Sequence, residues 1–312
     1  MNPKSITQTA TRLSEGKGLK QLALYSTGVL VIANLLLLLI QEIIGSFLQD
    51  ATGLAALGKR SMLLTVQSAF NLAVTVAAPF WNFGFYRAAM DCARENTPTP
   101  NTLLHGFRRF WPLLRLLLIE TLMASGYILL STMLGSMLFM MTPMADRAFE
   151  MIAPALQAAE SITDPAALNA MMEPLMLELL KLIWPMYLLI AAALGLFLVP
   201  WLYQVCLAPY HILDGEKSAL MAMNQSRYEM HGNRVSWLLL DLRWWWYYGL
   251  LILAAVPLYL PDILGGGKGM LWGMTLLSLA LQLVIQWQFF PRVQTSYALA
   301  FDQLRHKEAP EN

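Results

Sequence analysis

The chain reads as an all-α polytopic membrane protein, and three observations predict this. Mean hydropathy is +0.50. Hydrophobic residues make up 57% of the chain and charged residues 13%, against about 25% charged in ordinary globular domains. Six apolar runs, at 22–48, 62–86, 112–141, 182–210, 236–261 and 270–290, each reach the roughly 20 residues that a helix needs to cross a hydrocarbon core. They are continuous in Leu, Ile, Val, Met and Ala, without the ~10-residue alternating segments of a barrel. Six transmembrane helices are therefore expected.

The first run extends from Leu22 to Ile40 and then meets Gln41 and Glu42. A cleaved signal peptide would carry an apolar region of only about 7 to 15 residues closed by small residues, so a retained first helix is expected. Between the second and third runs, Thr99-Pro100 reads as an N-cap followed by proline at the first helical position. Leu103, Phe107, Phe110 and Trp111 then recur at helical spacing, which predicts an amphipathic helix in the membrane interface.

That segment carries His105, Gly106, Arg108 and Trp111, and the same residue types return 126 positions later as His231, Gly232, Arg234 and Trp237. Leu113/Leu239, Leu114/Leu240 and Leu116/Leu242 follow in register. The second copy has its own interfacial helix, starting near Ser218. In this reading glycine releases the helix, arginine faces the headgroups and tryptophan marks the boundary. The motif is then an entry device for the following span. Ser5 to Glu15, ending at Gly16, is a weaker third copy without the His and Trp.

Each even-numbered run closes on a proline, then a tyrosine, then an aspartate. The series is Pro79, Tyr86, Asp91; Pro200, Tyr210, Asp214; and Pro291, Tyr297, Asp302. A threefold pseudo-repeat of interfacial helix plus two spans follows, within one membrane domain covering 1–312. Its copies are 1–91, 92–214 and 215–312. The second holds an acidic helical insert at 144–180, with Asp164-Pro165 capping the second of two helices. Its apolar residues suit helices on the outer leaflet or over the bundle mouth, and a lid and a plain solvated hairpin both remain open.

Orientation follows from the basic residues. Only Lys59, Arg60, Arg147, Lys181 and Lys268, five of the 21, fall on one set of flanks. The positive-inside rule puts the rest, and both termini, in the cytoplasm. The net charge of +1 hides this asymmetry and gives no indication of nucleic-acid binding. Cys92 and Cys206 fall near cytoplasmic helix ends, where thiols stay reduced.

Residues Gly84 to Phe110, GFYRAAMDCARENTPTPNTLLHGFRRF, and Ala208 to Trp245, APYHILDGEKSALMAMNQSRYEMHGNRVSWLLLDLRWW, resemble two blocks of a bacterial integral membrane family, domain of unknown function 975. The resemblance covers most of the chain. It implies a polytopic helical domain, distantly related to the membrane domain fused to some glycerophosphodiester phosphodiesterases, and it implies no reaction and no catalytic residues. Trp244 to Trp246 depart from the small, glycine-containing pattern expected there.

Ionisable residues inside spans are the usual pointers to function, since each costs at least ~2.5 kcal/mol at the bilayer centre. Arg115 and Asp241 hold nearly equivalent places in two repeats, where they either pair across helices or snorkel to the interface. Glu120 lies about 7 Å deeper than Arg115 at 1.5 Å per residue and is the candidate intramembrane carboxylate. Asn34, Asn71, Asn82, Gln204, Gln282, Gln286 and Gln288 read as interhelical hydrogen-bond partners, and Ser131-x-x-x-Gly135 and Ala191-x-x-x-Gly195 as sites of close helix approach.

His105 and His231 without a third ligand make a poor metal site, so no metal and no cofactor is expected. Gly265 to Gly269 lacks the spacing and hydroxyl residue of a phosphate loop. No nucleophile, base or metal constellation stands out. Trp111, Trp201, Tyr210, Trp237 and Trp244 to Tyr248 suit an aromatic interface belt. The expected partners are membrane lipids, especially anionic headgroups on the cytoplasmic side, where each arginine gains ~1 kcal/mol. The sequence thus reads as a non-enzymatic scaffold or adaptor of the bacterial inner membrane that contacts lipids or other membrane proteins. The alternative is a transporter or lipid-handling protein with a cavity between its repeats.

Overall fold

The computed structural model describes residues 2–16, 18–49, 54–161, 165–265 and 267–306, and among them helix is the only regular structure. The order is α1 (Pro3–Gly16), α2 (Leu19–Gln49), α3 (Leu54–Ala93), a 3-10 turn (Pro100–Leu104), α4 (His105–Arg108), α5 (Phe110–Met140), α6 (Pro143–Ser161) and α7 (Pro165–Val205). The chain continues through α8 (Ala208–Asp214), α9 (Ala219–Glu229), α10 (Arg234–Arg243), α11 (Trp245–Ala255), a second 3-10 turn (Val256–Tyr259), α12 (Leu260–Leu264) and α13 (Lys268–His306).

Among the described residues four segments are long and apolar enough to cross a membrane: Leu19–Ile40, Phe110–Met140, Pro174–Asp214 and Gly269–Arg305. At most 17% of the most apolar stretch of any of them is buried inside the chain. Faces carrying Leu36, Leu122 and Leu276 are exposed and require an apolar solvent.

Two of the six expected runs are absent from this set. The second lies within α3, where the side chains of Met62 and Leu63, part of its apolar stretch, lie outside the described residues. The fifth is not one helix. It breaks at Trp244, whose φ of −102° and ψ of 10° leave the helical region while its N–H reaches back to Asp241 O at 2.8 Å. It then tightens into the 3-10 turn at Val256–Tyr259, where Pro257 cannot donate a backbone hydrogen bond.

The chain divides into two compact units, one of Met1–Leu116 with Cys206–Asn312 and one of Leu117–Val205. In the first, α1 packs on α13 and is tied to it by Arg292 Nη2 on Glu15 Oε1 at 2.7 Å. Leu13, Leu19, Leu22, Phe85 and Leu103 form a core there, with Phe85 stacked on Phe290 at 4.7 Å. A second core joins Trp244 and Tyr247 of the α10–α11 region to Val293 of α13, and Trp246 meets Phe289 edge-on at 4.7 Å. Trp244 and Trp246 therefore serve as packing for α13, while Trp245 is exposed.

The other unit holds the rest of α5, α6 and α7. At Ser131-x-x-x-Gly135 the helices do approach closely, because a Cβ on Gly135 would lie 2.8 Å from Ile190 N. Ser131 is fully buried. At Gly195 nothing lies within 4 Å. Tyr127 packs on Trp201 at 5.5 Å. The expected insert falls in α6 and the first part of α7, which pack against each other, while Asp164 of the expected cap lies outside the described residues.

Candidate functional site

The three tyrosine-aspartate helix ends come together in the first unit. Helix α3 ends in a reverse turn in which Asn96 N donates to Asp91 O (2.8 Å) and Glu95 N to Cys92 O (3.1 Å). Helix α8 ends in the same way, Glu216 N on His211 O (3.0 Å) and Gly215 N on Ile212 O (3.2 Å). Both are Schellman caps, which need a left-handed residue just past the helix. Gly215 supplies it at φ 131° and Glu95 at φ 62°. The two caps place Arg94 and Asp214 at equivalent C-terminal positions, and these two side chains meet at 2.5 Å.

Arg94 is the centre of an ion-pair cluster. Its Nε and Nη2 fork onto the Asp302 carboxylate, at 3.2 and 2.7 Å to Oδ1, while Nη1 holds Asp214. Arg87 pairs with Asp91 at 3.2 Å and donates to Leu213 O at 3.0 Å. Arg305 pairs with Asp214 as well. The aspartates at the ends of α3, α8 and α13 are thus joined through arginines of α3 and α13 and through Arg94 at the α3 cap. Planar guanidinium forks suit this bridging of several carboxylates.

The tyrosines line one cavity of about 330 Å³. Tyr86 stacks on Tyr210, ring centres 5.6 Å apart at 8°, and Tyr210 packs in turn on Phe301. Tyr210 Oη donates to Gln294 Oε1 at 3.3 Å. Trp237 stacks on Tyr297 at 5.5 Å and 13°. Tyr297 Oη donates to Asp241 Oδ1 at 2.6 Å and lies 2.9 Å from Tyr248 Oη. Cys206 and Leu251 complete part of the wall.

A more polar cleft of about 450 Å³ lies between His211, Asp214, Lys217 and Arg305. Its His211 is buried and its Nε2 lies 3.0 Å from Glu229 Oε2, also buried.

The repeated His-Gly-Arg-Trp segments do not share an environment. Gly106 sits where a Cβ would fall 1.9 Å from Phe80 O, so glycine there permits α4 to touch α3. Gly232 has open space around it and φ +80°. Trp111 is 67% exposed and Trp237 4%. Arg108 and His231 are exposed and Arg234 is half-buried.

His105 is half-buried, and its Nε2 has no hydrogen-bond partner among the described residues. Burial, and then the charges of Arg87, Arg109 and Arg108, hold its pKa below the ordinary value, with Asp91 pulling weakly the other way.

Of the intramembrane candidates, Asp241 is engaged by Tyr297, Arg115 is exposed, and Glu120 is half-buried on α5 in the other unit. Tyr248, Gln294, Arg87, Arg94, Arg305, His211 and Glu229 carry no repeat or periodic signal that singles them out. A rule that asks which groups could neutralise each helix-end aspartate would have found the arginines.

Among the described residues no group of three or more His, Cys, Asp or Glu is arranged to hold a metal ion. Comparison of the chain with family models, with curated proteins and with solved structures finds no match in any of the three.

Proposed function

We propose that the chain is a multi-pass protein of the bacterial inner membrane that binds and handles a lipid or lipid-derived ligand in its tyrosine-lined cavity. The observation that carries this reading is that Tyr86, Tyr210 and Tyr297, from three separate helix ends, line one preformed space. Its volume is at the lower end of small-molecule sites, about 300 to 1,000 Å³. Of the two readings left open by the sequence, a scaffold accounts for the lipid-facing helices but gives no reason for such a cavity. Lipid handling accounts for both.

The reading includes both termini in the cytoplasm and a threefold repeat of helix pairs. The basic flanks support the orientation, and the helix-end convergence supports the repeat. In this topology α3, 40 residues long, and the segmented α10–α11 supply the second and fifth crossings. The resemblance to the bacterial family adds a polytopic setting and no reaction. Anionic headgroups are the expected neighbours of Arg108 and of the other exposed basic residues.

Cys206 provides the test, because it lines the cavity while Cys92 is buried with its Sγ 3.5 Å from Leu13 O. Alkylation of Cys206 by a small maleimide, followed by mass spectrometry in detergent, should slow severalfold when membrane lipid extract is added. An unchanged rate across the extract and its separated lipid classes contradicts the reading.

A further inference from the structure

We infer that the cavity takes a ligand bearing an ammonium group, held by aromatic ring faces and by Tyr248 Oη; this rests on the reading of the cavity as a ligand site.

The direction of the hydrogen bonds is the first argument. The Asp241 carboxylate can only accept, so Tyr297 donates to it. With its one proton committed, Tyr297 must accept from Tyr248 across the 2.9 Å contact. The relay runs Tyr248 to Tyr297 to Asp241. What Tyr248 offers to the cavity is therefore its lone pairs, polarised by the carboxylate charge two bonds away. A donating group matches them, and a phosphate or carboxylate does not.

The wall chemistry is the second argument. The described lining contains no Lys, Arg or His, and the guanidiniums of Arg87, Arg94 and Arg305 are already engaged by Asp91, Asp214 and Asp302. An anion would enter without a counter-charge. Tyr86, Trp237, Tyr247 and Tyr248 instead place electron-rich rings in the wall, and a cation set against such rings is stabilised by their quadrupoles. Asp241 adds a carboxylate in hydrogen-bond contact with Tyr297 of this wall. The ammonium group can belong to a free amine or to the headgroup of an aminophospholipid.

The experiment titrates the full-length protein, in phosphatidylglycerol nanodiscs, with ethanolamine, an N–H-bearing ammonium at neutral pH, and with its uncharged isostere propan-1-ol, in which carbon replaces the nitrogen. Ethanolamine should bind at least about tenfold more tightly than the isostere. Tyr248→Phe, which removes only a hydroxyl, and Asp241→Asn should each weaken ethanolamine binding about tenfold and change isostere binding much less. Repeating the titration with phosphatidylethanolamine in the discs separates the sources. Weaker ethanolamine binding there shows that the lipid headgroup occupies the site, and unchanged binding shows that a soluble amine does.

Equal binding of ethanolamine and isostere, or ethanolamine binding insensitive to both variants, overturns the inference and leaves a ligand site of other specificity. Absence of ethanolamine binding also overturns it. The ligand-site reading is then decided separately by lipid protection of Cys206.

Discussion

Arg94 carries the ion-pair cluster because one planar group reaches two carboxylates at once. Lysine keeps the charge but not the fork. Arg94→Lys is expected to lower stability by about 1 to 2 kcal/mol, a range kept small because the side chain is partly exposed. Thermal unfolding in detergent measures it. The neighbouring Glu95 holds a left-handed conformation at φ 62°, which costs a residue with a Cβ about 1 kcal/mol or more. Glu95→Gly should therefore raise the unfolding midpoint, and a lowered midpoint would mean that the carboxylate itself is needed there.

His105 gives a pH prediction with a definite sign. Its pKa in the folded chain lies below the ordinary 6.5, so the unfolded chain takes up a proton first as pH falls. The histidine's contribution to stability is complete above 6.5 and is lost progressively below it. His105→Gln should flatten the decline in stability from pH 7 to pH 5, as read by chemical unfolding at a series of pH values.

At the scale of elements, the contact between α3 and the 3-10 turn and α4 depends on two missing side chains. A Cβ on Gly84 would fall 1.8 Å from Leu103 O, and one on Gly106 would fall 1.9 Å from Phe80 O. The obstructing atoms are backbone, so the elements must separate. Gly84→Ala or Gly106→Ala should destabilise by about 3 kcal/mol or more. Gly126→Ala, with nothing within 4 Å of its Cβ, should instead change stability by no more than about 1 kcal/mol, towards stabilisation.

These glycines also show what a recurrence in sequence conveys. The pairing of Gly106 with Gly232 is legible as spacing, but one permits a close helix contact and the other a left-handed turn. Spacing does not reveal the packed neighbour. In the same way Trp111 and Trp237 read alike, yet Trp237 is buried and stacks on Tyr297, while Trp111 is exposed and meets the adjacent Phe110 edge-on. The break at Trp244 is legible only as a departure, three consecutive tryptophans, because an apolar run has the same composition whether or not its helix is continuous.

For the whole molecule, composition alone dictated helices in an apolar solvent. The described structure agrees on that, with four segments long and apolar enough to cross. The helix-end aspartates were legible too, as a recurring Pro-Tyr-Asp order. Their arginine partners are not, because Arg87, Arg94 and Arg305 fall among the membrane-flanking charges, and a count of basic flanks does not distinguish a guanidinium in solvent from one bound to Asp302. The proposed topology puts the C-terminal end of α6 outside, so Ser161→Cys should react with an impermeant thiol reagent in intact cells. Protection there would reverse the orientation.

Native mass spectrometry of the full-length protein released from its membrane tests most directly whether three helix ends build one ligand cavity. A retained small ligand or lipid of discrete mass is expected, absent from Leu251→Trp, in which an indole fills the cavity while the fold persists. A wild-type protein with no bound species, or a Leu251→Trp protein that keeps the same one, would contradict it.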